Sequence, residues 1–245
     1  MKCIDRLRTL SVGVTGLLVA GLLSSCATMA SGEAVVVDLA SHSVHDVRAS
    51  LNTRTGSDVL EVELTDEEQA RQTAGAGGNR PTYILFPEAF DNGSIEVHIG
   101  AELNGKGGPD ARGFAGISFH HSAVDGSYEA VYLRMANGTL NEPPPPPPRN
   151  ERAIQYIAHP DFHFPISREK FPGKYEKAAQ VKVGTGRHLL RLDVDGSNLA
   201  AFVDGNLVLS LNDLRFANRQ GNVGFWIGDG TRAYFTGLKV IRRKK

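Results

Sequence analysis

The sequence predicts an all-β fold, a sandwich or jelly roll of two antiparallel sheets. Three observations carry that prediction. Short apolar runs recur along the chain from Val36 onward. The breaks between them, such as Asp91-Asn92-Gly93, Asp195-Gly196 and Asp204-Gly205, have the turn chemistry that hairpins need. The chain also holds 27 Gly and 12 Pro and few segments with helical periodicity. Many short strands with frequent turns suit a sandwich.

Taken in order, strands are expected at Val36–Leu39, which opens with two valines, and at Val59–Leu64, where Val and Leu alternate with Glu. Tyr83–Phe86 and Ser94–Ile99 lie on either side of the Asp-Asn-Gly break. Phe114–His120 and Tyr128–Met135 follow, then Ala153–Ile157 and Ala179–Val183. His188–Val194, Leu199–Val203 and Asn206–Leu209 are separated by Asp-Gly turns. Gly221–Ile227 and Ala233–Val240 end the series. Asp66–Arg80 is polar and Gly-rich, so a loop is expected there. Asn141–Asn150 holds six consecutive prolines, Pro143 to Pro148. Such a run cannot enter a central strand, and a stiff polyproline II arm is expected.

The 245 residues carry 27 Lys plus Arg and 27 Asp plus Glu, a net charge of zero. This lacks the basic surplus of a charge-driven nucleic-acid binder, so no nucleic-acid partner is expected. At 41% hydrophobic and 22% charged residues the composition is that of a globular chain. It excludes a coiled coil, a collagen and a multi-span membrane protein. At the N-terminus Lys2, Arg6 and Arg8 precede an apolar stretch from about Leu10 to Leu23, too short for an ordinary spanning helix. The stretch ends in Leu23-Ser24-Ser25-Cys26, which resembles a bacterial lipobox. That resemblance implies lipidation of Cys26, removal of residues 1–25 and a membrane anchor. No Asp follows Cys26, so the outer membrane of the cell envelope is the expected destination, periplasmic or surface-facing. Cys3 and Cys26 are the only cysteines, so the mature chain has no internal disulfide. Cleavage removes three basic residues and the acidic Asp5, leaving a mature surplus of two acids. The expected organisation is a leader at 1–25, the lipidated Cys26 with a tether to residue 35, and one sandwich domain at 36–242.

Period-2 alternation assigns strand faces. Ala115, Ile117 and Phe119 share one face, and Gly116, Ser118 and His120 the other. Glu129, Val131, Leu133 and Met135 lie opposite Tyr128, Ala130, Tyr132 and Arg134. Leu190, Leu192 and Val194 oppose Leu189, Arg191 and Asp193. The apolar faces belong between the sheets. The mixed faces suit a sugar-binding groove, because aromatic rings stack on pyranose C–H faces and Arg, Gln and Asn bond adjacent hydroxyls. Tyr132, Arg134, Asn137, Gln155, Tyr156 and Trp226 are the candidate ligand-binding residues.

Larger blocks carry a resemblance. Phe114-Ala-Gly-Ile-Ser-Phe-His precedes Tyr128-Glu-Ala-Val-Tyr-Leu-Arg-Met-Ala-Asn-Gly, Gln155-Tyr-Ile-Ala-His-Pro-Asp and Pro172-Gly-Lys-Tyr-Glu. Arg187-His-Leu-Leu-Arg-Leu-Asp-Val-Asp-Gly, Ala201-Phe-Val-Asp-Gly-Asn, Gly224-Phe-Trp-Ile-Gly and Ala233-Tyr-Phe-Thr-Gly-Leu-Lys-Val follow. This order resembles the concanavalin A-like lectin/glucanase superfamily, in particular its laminin G-like and 3-keto-disaccharide-hydrolase-like domains, over most of residues 50–242. The resemblance implies a concanavalin A-like jelly roll. It does not imply one activity, since fold analogy alone does not deliver function. Arg187-His188 stands where the family usually places an aromatic residue. Family 16 glucanases carry Glu-x-Asp-x-x-Glu. The nearest string here, Glu61-Val-Glu63-Leu-Thr-Asp66, exchanges the acid types, and Glu61 and Glu63 are read as the solvent face of an edge strand.

For catalysis, glycosidases need two carboxyls roughly 5–9.5 Å apart. Glu129 and Glu176 are the acids nearest the Tyr/Arg/Gln blocks. Glu129 alternates with apolar residues, which is an environment that suits a general acid and equally suits a structural partner of an arginine. His120 is a candidate base. If the chain were an enzyme, Glu129 and His120 would be its catalytic residues. His159-Pro-Asp161-Phe-His163 has a spacing that would suit zinc if extended, although its prolines argue for a loop. Asp91, Asp110, Asp125, Asp195 and Asp229 sit in turns and leave a Ca2+ site open, though turn aspartates usually bond their own backbone. Gly-x-Ser-x-Gly, His-Glu-x-x-His and P-loop strings are absent from the sequence. The sequence therefore predicts a lipid-anchored envelope protein that binds a saccharide or polysaccharide on a concave sheet. A glycoside hydrolase or polysaccharide lyase is the alternative, and an adhesion or structural module the second.

Overall fold

The computed structural model describes residues 34–54, 56–75 and 80–243. The expected leader, Cys26 and most of the tether fall outside the described residues. In chain order the strands are β1 (Ala34–Val36), β2 (Ser43–His45), β3 (Val47–Arg54), β4 (Ser57–Leu64), β5 (Tyr83–Phe90), β6 (Gly93–Leu103), β7 (Phe114–His121) and β8 (Tyr128–Arg134). They continue as β9 (Ile154–His159), β10 (Glu176–Lys177), β11 (Gly184–Asp195), β12 (Asn198–Val203), β13 (Asn206–Leu211), β14 (Gly221–Ile227) and β15 (Thr231–Arg242). Two short helices, α1 (Asp66–Thr73) and α2 (Phe164–Lys170), interrupt them.

The strands form two antiparallel sheets. The first runs β13-β12-β11-β6-β15-β4-β3, with β1 also paired to β15, and the second runs β10-β9-β8-β7-β14-β5-β2. Alternation explains why they stack. Ile95, Val97 and Ile99 of β6 and Leu190, Leu192 and Val194 of β11 face Ala115, Ile117 and Phe119 of β7 and Val131 and Leu133 of β8 in one buried cluster. Burying each such aliphatic side chain stabilises the fold by roughly 1.5–3 kcal/mol before chain entropy is counted. The jelly-roll class and the inner faces of β7, β8 and β11 up to Phe119 agree with the alternation.

Several elements differ from the sequence expectation. The first strand lies at Ala34–Val36, while Val37 and Leu39 are buried in the core just beyond it. β3 has few apolar residues and was not expected. It is an edge strand, paired to β4 from Val47↔Leu64 to Arg54↔Ser57. β4 is consequently an interior strand between β3 and β15. Glu63 is buried there, with Arg48 at 2.7 Å and Arg232 at 3.1 Å, so it is no solvent-facing edge acid. The expected loop at Asp66–Arg80 contains α1, capped by the Thr65 hydroxyl, which accepts from Glu68 N at 3.2 Å. Thr65-x-x-Glu68 is the capping-box pattern that marks this start. Ala179–Val183 is not a strand. The Ala179 and Val181 carbonyls accept from Thr139 N and Leu140 N, so the segment packs beside a loop. The proline run does not stay extended to its end. Pro148 has φ −86° and ψ 8°, outside polyproline II geometry, and Arg149 N donates to Pro146 O at 3.0 Å.

Candidate functional site

One irregularity in β7 decides which residues reach the outer face of the second sheet. The ladder between β14 and β7 shifts between Asn222↔His121 and Gly224↔Ser118, so two β7 residues oppose one β14 residue. This is a β-bulge, and His120 within it has φ +56°. Alternation reverses beyond Phe119. His120 turns inward and stacks near Phe90, with ring centroids 6.0 Å apart. His121 turns outward and stacks on Tyr128 at 4.6 Å.

The inward turn places His120 against Glu129. Its Nδ1 lies 2.6 Å from Glu129 Oε2, and its Nε2 donates to Asp91 O at 2.9 Å. Glu129 Oε1 accepts from the Tyr156 hydroxyl, from Arg215 N at 2.8 Å and from Phe216 N at 3.3 Å. Burial first, then the Glu129 carboxylate, pushes the Tyr156 hydroxyl well above its ordinary pKa, so Tyr156 is a fixed donor. Glu129, His120 and Tyr156 have no solvent-exposed surface. They fasten the loop after β13 to the inter-sheet core. Two expectations are thereby corrected. Glu129 and His120 do not converge on a groove, and Tyr156 lies on the opposite face from Tyr132, because Gln155 and not Tyr156 pairs with Tyr132.

The outer face of the second sheet carries a cavity of about 610 Å³. Its floor comes from cross-strand register. Tyr132 of β8 and Trp226 of β14 are the two neighbours of Gly116 in β7. With no side chain between them, their rings meet at 4.4 Å. Phe114 closes the group edge-on, 6.1 Å from Tyr132 and 6.4 Å from Trp226. Arg134 stands at the end of β8. It donates to Tyr132 Oη at 3.2 Å, to Gln155 Oε1 and to Glu176 Oε2 at 3.1 Å. Asn137 also lines the cavity. Its Nδ2 donates to Arg152 O at 2.9 Å, and its Oδ1 accepts from Arg149 at 3.3 Å. Tyr132, Arg134, Asn137 and Trp226 are therefore brought together. Gln155 is fully buried and supports Arg134 from the side.

Sequence reasoning missed the wall. Arg112, Arg149, Arg152 and Arg168 line the same cavity but come from three separate segments, the loop before β7, the turn after the proline run and α2. The end of the proline run delivers Arg149 into it. The sequence signal for this wall is that Arg149 and Arg152 both follow closely after the proline run. The acids nearby are already engaged. Glu176 bonds Arg134, Arg152 and Arg168. Burial alone would raise its pKa, but Arg168 and Arg134 hold it below the ordinary value. Asp229 accepts from Gln69 at 2.6 Å and from Gly108 N at 2.9 Å.

The histidine segment makes a turn instead of an extended ligand set. Ala158 and Phe162 bridge across His159-Pro160-Asp161, leaving Asp161 exposed while His159 and His163 meet edge-to-face at 5.5 Å. Of the turn aspartates, Asp110 bonds Arg112, Asp125 bonds Ser127 and Asp195 bonds Arg243. Among the described residues no three His, Cys, Asp or Glu side chains form a group arranged to hold a metal ion.

Burial, followed by the charge of Arg219, lowers the His121 pKa from 6.5 to about 3. The unfolded chain therefore takes up this proton first. Stability is full above about pH 6.5 and falls as pH drops toward 3. At pH 5 the loss is about 2 kcal/mol. His163, lowered to about 4 by burial and by His159, adds to the same slope. The depressed carboxylates, such as Asp125 at about 2, lose their contribution only below their ordinary range. His121→Gln should flatten the decline between pH 7 and pH 5, read as urea midpoints at both pH values. An unchanged slope would refute the assignment.

No protein-family model matches the chain, and no curated protein matches it. Among solved structures, it is similar to a carbohydrate-binding module from Bacillus subtilis, with 11% identity, 80% of this chain and 96% of that chain covered, and a TM-score of 0.47. It is also similar to a Bacillus subtilis protein of unknown function with a galectin-like fold, at 12% identity, 80% and 90% coverage and a TM-score of 0.48. A β-1,3-1,4-glucanase from a mouse hindgut metagenome aligns at 11% identity, 79% and 83% coverage and a TM-score of 0.45.

Proposed function

We propose that this chain is a glycan-binding module, held at the cell envelope through a lipid on Cys26, with its saccharide in the outer-face cavity of the second sheet. The observation that carries this reading is the joined aromatic floor of Phe114, Tyr132 and Trp226 beside the Arg134 and Asn137 hydrogen-bonding groups. A pyranose presents C–H faces to such rings and hydroxyl pairs to such side chains. The volume of about 610 Å³ falls within the range of small-molecule sites. The lipobox Leu23-Ser24-Ser25-Cys26 supports the anchor and the outer-membrane destination. Binding is favoured over hydrolysis because Glu129 and His120 lie behind the sheet, and because Glu176 and Asp229 are held in other bonds.

The test is a saccharide panel read by melting shift and by product release in the same wells, on the full chain in neutral detergent. A melting shift without product is expected. Trp226→Ala should weaken binding by roughly tenfold or more, because it removes one of the two partly exposed rings of the floor. Its own melting temperature should change little, since Trp226 is only half-buried. Arg134→Ala is a poorer probe, since Arg134 also ties Gln155 and Glu176 together. Product release would establish an enzyme. Silence throughout the panel would favour an adhesion role.

A further inference from the structure

The cavity has a charge that the whole chain lacks. Glu176 is the carboxylate partner of three guanidinium groups, Arg134 at 3.1 Å, Arg152 at 3.1 Å and Arg168 at 2.7 Å. One negative charge among three positive ones leaves a positive surplus. Arg149 adds to it. Its bonds go to neutral oxygens, Asn137 Oδ1 at 3.3 Å and Ala136 O at 3.5 Å, and among the described residues no carboxylate pairs with it. Arg112 is bonded to Asp110, whose side chain is 98% exposed and so well screened by water. The surplus is felt at Arg112, whose guanidinium pKa is lowered by burial first and then by Arg149 and Arg134. His163 stays neutral at ordinary pH, so the sign is set by the guanidinium groups, which outnumber the lining carboxylates Asp110 and Asp229. They stand around an aromatic floor instead of a flat surface, which restricts the ligand to something that both stacks and carries an anion.

We infer that the cavity selects an anionic saccharide, a pyranose stacked on Trp226 and Phe114, with Tyr132 buried beneath them, whose carboxylate or sulfate ester is clamped by Arg149 and Arg152. This deepens the glycan-binding reading and rests on it. Guanidinium forks match planar carboxylates and other oxyanions, and charge-assisted bonds are about twice as strong as neutral ones. Arg149 suits the clamp because its bonds go to neutral oxygens, and Arg152 joins it because it meets Glu176 through Nε while Glu176 also keeps Arg134 and Arg168.

The experiment compares three probes on the full chain in neutral detergent: an oligogalacturonate, its carboxyl-reduced neutral counterpart and a sulfated galactan oligomer. Titration calorimetry at low and high salt reads the affinity. The oligogalacturonate or the sulfated oligomer should bind at least about tenfold more tightly than the neutral one, and added salt should erode the advantage. Arg149→Gln combined with Arg152→Gln should remove the preference and leave the ligand-free melting temperature close to that of the parent chain. Binding of the sulfated oligomer alone identifies the anion as an ester and supports the inference. Equal or tighter binding of the neutral oligomer overturns the inference while the glycan reading stands. A preference that survives both substitutions overturns the clamp. No binding by any of the three probes, or by the wider saccharide panel, overturns both readings.

Discussion

Glu129→Gln should destabilise the sandwich by about 3–5 kcal/mol, the cost typical of removing one partner from a buried, hydrogen-bonded charge network. The carboxylate receives the Tyr156 hydroxyl and two backbone N–H groups, and it sits 2.6 Å from His120. An amide at this position would direct its own N–H groups at donors and leave buried groups unpaired. For a domain of this size the loss corresponds to a fall of roughly 10 °C in melting temperature. Tyr156→Phe, which removes one donor, should cost about 1–2 kcal/mol. Urea denaturation of the full chain checks both. A Glu129→Gln protein of parental stability would mean that Glu129 does not fasten the loop after β13. If such a protein also lost saccharide turnover, the catalytic assignment would return.

Gly116→Val should cost about 3 kcal/mol or more and also abolish saccharide binding. A Cβ on residue 116 would overlap the Val131 carbonyl oxygen and Tyr132 Cα, and would lie 2.5 Å from Tyr132 Cβ. These are atoms of the neighbouring strand, which cannot yield without opening the ladder, and overpacking of this kind is expensive. Any side chain that did fit would wedge between the Tyr132 and Trp226 rings, now 4.4 Å apart. The effect therefore appears in both stability and affinity. Gly186→Ala is the matched control, because a Cβ there meets nothing within 4 Å. It should stay within about 0.5 kcal/mol of the parent chain with unchanged affinity. If Gly116→Val kept its affinity, the Tyr132–Trp226 pair would not form the binding floor.

The fold was legible because a strand buried on one face writes its burial into a repeat of two residues. Leu190, Leu192 and Val194 point inward, as do Val131 and Leu133, and a local pattern suffices to say so. The residue types of the cavity floor were legible for the same reason. Tyr132 and Arg134 fall on the face opposite Leu133 and Val131. α1 has no apolar stripe to announce it, although the Thr65-x-x-Glu68 capping box marks its start. β3 does alternate, Val47, Ala49 and Leu51 against Arg48, Ser50 and Asn52, but at the sheet edge its apolar residues are few and partly exposed, so the pattern is faint.

The chain by itself determined a two-sheet sandwich, the inner face of each well-patterned strand and the aromatic and arginine residues at the end of β8. Tertiary structure alone decided the rest. The bulge at His120 reverses parity within a strand whose residues look regular, and it exchanges the roles of His120 and His121. Glu129 finds its backbone partners 86 and 87 positions away. Arg112, Arg149, Arg152 and Arg168 meet around one cavity within a chain of zero net charge. The physical reason is the range of each interaction. Alternation is set by neighbouring peptide units, whereas bulges, buried networks and charge clusters depend on which strands the sheet order places side by side.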